Sequence, residues 1–159
     1  MAKKILIALD DSDNAMRAVK YVADSFTRVH EIMLLNVIPD TTALCEMTGF
    51  NSPTLTPYFL KQQGAFCTLE DKKKDLMKKT LENAKEILLR AGFDKNKVKK
   101  KMIVGKKGAA KVIIKEAKSG YDTLVMGRRG LSGLKEFIFG SVSHKVLTGL
   151  ESVSILLIN

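Results

Sequence analysis

Apolar residues recur along this chain in two rhythms that take turns. Lys4–Leu9 (Lys-Ile-Leu-Ile-Ala-Leu) is an almost unbroken apolar run, the pattern of a strand covered on both faces. Behind it, Asp10-Asp11-Ser12-Asp13 offers turn and helix-capping residues. Ala15, Val19, Val22 and Phe26 then recur at helical spacing, which predicts an amphipathic helix to about Arg28. Glu31–Ile38 repeats the strand pattern and is stopped by Pro39. Together these make one βαβ unit, right-handed by the general rule for parallel crossovers.

Residues 40–68 break the rhythm. They hold Pro53, Pro57 and both cysteines, yet also Phe50, Tyr58, Phe59, Leu60 and Phe66. That many large apolar groups do not belong to a solvated linker. A long loop is expected, with a short helix near Pro57–Gln63, packed on the domain or on a partner. From Leu69 to Ala91 the helical rhythm returns through Met77, Leu81, Ala84 and Leu88, with Gly92 as its stop. Lys97–Val104 reads as a third strand, with Val98, Met102 and Val104 facing one way and Ile103 the other. Its lysines suit a sheet edge, where charge discourages unwanted pairing. After Gly105-Lys-Lys-Gly108 comes a helix carrying Val112, Ile113 and Ala117, then the strand Asp122–Met126. A helix from Ser141 carries Val142, Val146 and Leu150, and Val153–Ile158 closes the alternation. The pattern predicts an α/β fold: a doubly wound, five-stranded parallel sheet with four main helices in three α/β/α layers, one domain over residues 1–159.

Composition narrows the function classes. A net charge of +10 invites a nucleic-acid reading, but its lysines at 72–79 interleave with Glu70, Asp71, Asp75 and Glu82, the pattern of a solvated helix face. No aromatic residues alternate with the basic ones to stack bases, so no specific nucleic-acid role is expected. No apolar run reaches the ~18–20 residues of a membrane span. The short run Ile5–Leu9 ends in two aspartates and is no leader peptide, so a cytoplasmic protein is expected. In that setting Cys45 and Cys67 are expected as reduced thiols, with a disulfide between them the alternative.

The candidate chemistry gathers after the fourth strand. Thr123-Leu-Val-Met126 runs into Gly127-Arg-Arg-Gly130, a nine-residue spacer, and Gly140-Ser141-Val142-Ser143. Glycines let a backbone approach a ligand closely. The bare amides of a helix start, the Ser141 hydroxyl and the helix dipole favour an anion there. The bland alternative is a strand–loop–helix link whose glycines only make turns. In open α/β sheets ligands sit beyond the carboxyl ends of strands, which adds Asp10 and Val37 as candidates. Asp10 would bond ribose hydroxyls or, equally, cap the first helix; Val37 would offer backbone groups to a base. No G-x-x-x-x-G-K-[ST] loop occurs, nor a G-x-G-x-x-G after the first strand. Two histidines and two cysteines without close pairing make a zinc site implausible. Ser141 with His144 lacks an acidic third member, so catalysis by that pair is not expected.

Asp10-Asp-Ser12, Asn36-Val37-Ile38 and Met126-Gly-Arg-Arg-Gly130-x9-Gly140-Ser141-Val-Ser143 together resemble the universal stress protein family over nearly the whole chain. The family's G-x2-G-x9-G-[ST] signature is met at every position. The resemblance implies a strand order of 3-2-1-4-5 and binding of ATP, or ADP or AMP, with a divalent ion such as Mg on the phosphates. It implies that Ala8 and Asp10 line an adenosine pocket, with the Asp10 carboxylate on the ribose, and that the Val37 backbone holds adenine. Gly127 and Gly130, after Met126, which is also counted in the site, would let the chain pass the ribose and phosphates, and Gly140, Ser141, Val142 and Ser143 would cradle the phosphates. Two departures matter. Asp11 stands where many members have glycine, and Arg128-Arg129 replace a small or polar pair, with Arg129 able to clamp a phosphate. The reading is an adenine-nucleotide-responsive stress and signalling module with at most slow hydrolysis. It would act on an unknown protein partner through nucleotide-dependent ordering of residues 131–139 and 40–68. The alternatives are a dimerisation scaffold of the same fold, which binds no nucleotide, and a polyanion binder. A homodimer through Val153–Ile158 is expected because that apolar strand would lie at a sheet edge.

Overall fold

The computed structural model describes residues 1–41, 57–129 (57–63 by backbone alone) and 139–159. Five strands, β1 (Lys4–Leu9), β2 (Glu31–Pro39), β3 (Val98–Gly105), β4 (Thr123–Gly127) and β5 (Ser154–Ile158), form one parallel sheet in the order β3-β2-β1-β4-β5. Among the described residues four helices cover it: α1 (Asp13–Ser25), α2 (Pro57–Arg90), α3 (Ala109–Ala117) and α4 (Ser141–Gly149). The expected α/β architecture and strand order are those observed.

The two-residue period of the strands explains the layers. Ile5, Ile7 and Leu9 of β1, with Ile32, Leu34 and Val125, pack under α1 and α2 against Val19, Val22, Leu81 and Leu88. Leu6 and Ala8, with Leu35, Leu124 and Met126, face α3 and α4 across Ile113, Ala117 and Val146. Ile5, Leu6 and Ile7 are fully buried, as a strand at the centre of the sheet and covered on both faces must be. β3 is an edge, as its lysines indicated, with Val98 and Met102 packed on the α1–α2 side and Ile103 on the other.

Helix ends follow from local chemistry. Ser12 caps α1, its Oγ accepting from the Ala15 amide at 3.2 Å, and the helix ends at Ser25, short of Arg28. At the end of α2, Gly92 (φ +95°) donates to the Leu89 carbonyl and Phe93 to that of Leu88, a Schellman ending. Phe93 is thereby tucked into the core, and the Arg28 guanidinium lies 5.2 Å from its ring centroid. The stop expected at Gly92 is observed.

The segment before it differs from expectation. Helix α2 is continuous for 34 residues from Pro57, rather than a short helix, a break and a second helix. A length of about 51 Å follows from the α-helical rise. One interior glycine, Gly64, costs only about 1 kcal/mol relative to alanine, too little to stop a run otherwise made of good helix formers. Phe66 and Leu69 remain exposed on this extension, as does Leu76 further along. Cys67 is disulfide-bonded, which corrects the expectation of a reduced thiol. On a regular helix the Cys67 sulfur is held in a fixed direction, whereas the sequence pattern placed it in irregular chain. Cys45, Phe50 and the rest of 42–56 lie outside the described residues.

His30 ties the start of β1 to the end of the first crossover. Its Nδ1 accepts from the Lys3 amide at 3.0 Å and its Nε2 meets Thr27 Oγ1 at 3.1 Å, which fits the neutral ring with the proton on Nε2. Burial, then the charges of the N-terminus and Lys3, push its pKa below the usual histidine value. The unfolded chain therefore binds the proton more readily. Stability is whole above about pH 6.5, the unfolded value, and falls as pH drops through the lower folded one. Urea unfolding between pH 7.5 and 5 is expected to show a decline that His30→Gln flattens; identical pH slopes in the two proteins would refute this.

Candidate nucleotide site at the strand ends

The strand order reverses between β1 and β4, and the carboxyl ends of these strands lie level there: Ala8 pairs with Leu35 on one side and with Met126 on the other. Such a switch point leaves a crevice because the crossovers depart to opposite faces. A cavity of about 180 Å³ occupies it. Ala8, Asp10 and Val37 line it from β1 and β2, and Met126, Gly127 and Arg129 from the end of β4. Gly140, Ser141, Val142 and Ser143 close it from the start of α4. Ten residues singled out in the sequence thus share one wall, and Gly130 lies outside the described residues. Most of the loop 131–139 lies outside them too.

Each wall has its own local cause. Asp10 is expected either to cap α1 or to meet a ligand, and the structure gives the cap to Ser12. Ser12 caps the helix, and Asp10 Oδ1 in turn accepts from the Ser12 amide at 3.0 Å and from its hydroxyl. Among the described residues nothing donates to Asp10 Oδ2, and the residue is half-buried at the cavity. Asn36 Nδ2 donates to the Leu9 carbonyl at 2.8 Å, fastening the end of β1 to β2 where the ladder finishes.

Gly127 is small for a reason the sequence did not reveal. A Cβ there would stand 2.9 Å from Asn14 Cβ, 3.0 Å from the Asn14 carbonyl carbon and 3.2 Å from the Ala15 nitrogen. Its first duty is to let the start of α1 lie against β4, and it lines the cavity in addition. Asn14 continues that contact, its Nδ2 donating to the Arg129 carbonyl at 3.3 Å.

Arg128 and Arg129 diverge. The Arg128 side chain turns to Asn159, whose Oδ1 accepts from Nη2 at 2.6 Å and from Nε at 3.2 Å. Its amide donates to the Ile158 carbonyl at 2.7 Å, and its carbonyl accepts from the Gly140 amide at 3.0 Å and the Ser143 hydroxyl at 2.6 Å. The Ser143 hydroxyl is therefore spent on backbone within a buried residue. Arg129 instead lines the cavity, and among the described residues its buried Nε meets no acceptor.

Helix α4 opens without a side-chain cap and without an acid in its first turn. His144 takes the Gly140 carbonyl at 2.9 Å, so the amides of Ser141 and Val142 belong to the open first turn. The donor set of the cavity is two uncapped helix amides, the exposed Ser141 hydroxyl and the unsatisfied Arg129 Nε–H. That set attracts an anion. Ala8, Leu35, Met126 and Ile113 give the same lining an apolar surface of a kind that suits a flat ring.

Leu9, Ala15, Leu35, Ala109 and Ile113 also line the cavity and were not anticipated. Leu35 was within reach of sequence reasoning, because it lies two residues before Val37 and so on the same face of β2. Ala109 and Ile113 lie four apart on one face of α3, but only the fold brings that face to the crevice. Among the described residues no group of three or more His, Cys, Asp or Glu stands together to hold a metal, and no helix is long and apolar enough to cross a membrane.

Comparison with known proteins agrees with this architecture. The model of the universal stress protein family matches residues 1–152. The chain is 33% identical over 149 residues to the universal stress protein YxiE of Bacillus subtilis, covering 92% of both chains. It is 32% identical over 156 residues to the universal stress protein MJ0577 of Methanocaldococcus jannaschii, covering 92% of this chain and 89% of that one. The solved structure of MJ0577 superposes with a TM-score of 0.69 at 28% identity, covering 98% of this chain and 94% of that one. A universal stress protein solved in complex with cAMP shares the fold, with a TM-score of 0.63 at 16% identity and 99% and 96% coverage. With the family's model matched over almost its whole length and two relatives above 30% identity, this chain belongs to the universal stress protein family.

Proposed function

We propose that this protein binds an adenine nucleotide, ATP or else ADP or AMP, and that occupancy of the site is the signal it passes on. One observation carries the reading: one cavity is lined by the uncapped start of α4, by Arg129, whose Nε–H has no acceptor among the described residues, by apolar side chains, and by Asp10, whose Oδ2 has no donor among the described residues. Phosphates would take the amides of Ser141 and Val142 and the guanidinium of Arg129. Asp10 would accept from ribose hydroxyls, and adenine would lie between Ala8, Val37 and Met126. Mg would ride on the phosphate oxygens. Gly130 and residues 131–139 would complete the phosphate side. The reading is of a cytoplasmic regulator in a stress response, with a protein partner as its output and no efficient turnover. A relative solved with cAMP supports an adenine nucleotide as the ligand class.

Isothermal titration of the whole chain with MgATP is expected to show saturable binding. Ser141→Trp, which places an indole over the exposed mouth, should weaken it more than about tenfold while leaving the unfolding midpoint in place. No heat of binding, or equal affinity in the two proteins, would remove the proposal.

We also propose a homodimer through β5. Ile155, Leu156, Leu157 and Ile158 are only half-buried in an edge strand, and pairing with a second copy would cover them. Sedimentation should report twice 17.6 kDa at micromolar concentration. A single species at 17.6 kDa would count against it.

A further inference from the structure

Apart from the strand-end cavity, the molecule carries a basic groove of about 570 Å³ between β3 and α3. Lys101 from the strand, Lys106 and Lys107 from the turn, and Lys111 and Lys115 from the helix surround it, against a single acid, Glu116. That acid is already engaged, since Lys101 Nζ lies 2.8 Å from its Oε2 and the Tyr121 hydroxyl reaches its Oε1. Among the described residues the other four lysines have no ion pair. All four are exposed. The apolar part of the lining is Ile103, Val112 and Val104, the last 54% exposed.

We propose that this groove docks an extended acidic peptide of a partner protein, which adds to the open edge of β3 as a sixth strand. Among the described residues β3 pairs with β2 on one side only, so its outer backbone groups stand ready for a ladder. A second copy of the same edge is excluded by charge, because it would bring Lys99 and Lys101 against their own kind. Spacing selects the acidic partner. Lys111 and Lys115 lie four residues apart on α3, a rise of about 6 Å, and alternate side chains of an extended strand stand about 6.7 Å apart, while Lys107 adds its charge from the turn before the helix. Carboxylates at every second position of the peptide therefore match lysines at every fourth position along the helix. Its main chain meets β3, and its intervening apolar side chains cover Val104. A phosphate polymer would satisfy the lysines but brings neither ladder groups nor anything to cover the valine. The inference is independent of the nucleotide reading.

The test uses the whole chain and a fluorescein-labelled octapeptide of alternating glutamate and valine, followed by anisotropy. Saturable binding is expected. The triple variant Lys107→Glu/Lys111→Glu/Lys115→Glu should weaken it more than about tenfold, and Lys20→Glu/Lys72→Glu/Lys79→Glu, an equal charge change elsewhere on the surface, should leave it within about twofold. The same peptide N-methylated at alternate residues should bind the unaltered protein at least about tenfold more weakly, because it cannot complete the ladder. Absent binding, equal losses in the two triple variants, or an N-methylated peptide that binds as well as its parent would each overturn the proposal. So would single-stranded oligothymidine that displaces the peptide at lower concentration, which would assign the groove to phosphate polymers.

Discussion

Gly127→Val is expected to lower the stability of the protein by about 3 kcal/mol or more. Two effects compete at this position. Valine is the better strand former, and on propensity alone the change would stabilise β4 by up to ~1 kcal/mol. Packing opposes it and wins. The added Cβ would meet the Asn14 Cβ and carbonyl carbon and the Ala15 nitrogen, all at 3.2 Å or less. These are the backbone and stem of a capped helix, not the far end of a flexible side chain, so relief requires α1 to move off the sheet. Ala15, Val19 and Val22 would then lift from Ile5 and Ile7, to which they are packed. Urea melts should show a lower midpoint, with Gly127→Ala between the two. A valine variant with an unchanged midpoint would mean that the approach of α1 to β4 is looser than described.

Arg129→Gln is the second large effect, and its size depends on which ligand is titrated. The guanidinium offers a charge-assisted hydrogen bond to the anionic end of a nucleotide, and such bonds contribute about 1.5–3 kcal/mol. Affinity for ATP should fall about tenfold to a hundredfold, and affinity for adenosine should change less than about twofold. Arg129→Lys should recover part of the loss, since it keeps the charge but gives up the Nε–H and the planar fork. Equal losses for ATP and adenosine would show that Arg129 shapes the cavity instead of meeting phosphate. Because Asn14 holds the Arg129 backbone and not its side chain, the substitution should leave the unfolding midpoint unchanged within about 0.5 kcal/mol.

Most of the architecture could be read from the chain because burial imposes a period. Ile5, Leu6 and Ile7 had to be a central strand, since no other element covers three consecutive apolar residues on both faces, and the lysines of β3 had to lie where a sheet ends. The candidate site was legible for a different reason: each of its small or polar residues follows directly on a strand or opens a helix, so locating the elements located the site. What sequence did not yield were contacts between elements far apart along the chain. The crowding of Gly127 by Asn14 and the turning of the Ser143 hydroxyl onto the Arg128 carbonyl depend on how α1 and α4 come to rest against β4. No periodicity encodes that. The reach of α2 back to Pro57 was missed because prolines and aromatics nearby masked a helix with a single weak position, Gly64.

The Arg128 peptide carries a consequence for signalling. Its amide is bonded to the last residue of the edge strand, Ile158, and its carbonyl to Gly140, the residue just before α4. A ligand that draws the start of α4 towards itself and a second subunit that fixes the outer strand would thus pull on the two planar peptide groups that meet at the Arg128 Cα. Thermodynamic reciprocity then makes each event the effector of the other: whatever factor nucleotide applies to self-association, self-association must return to nucleotide. Concentration of the protein would in that way become an input, and a cell that makes more of it would tune its sensitivity as well as its amount.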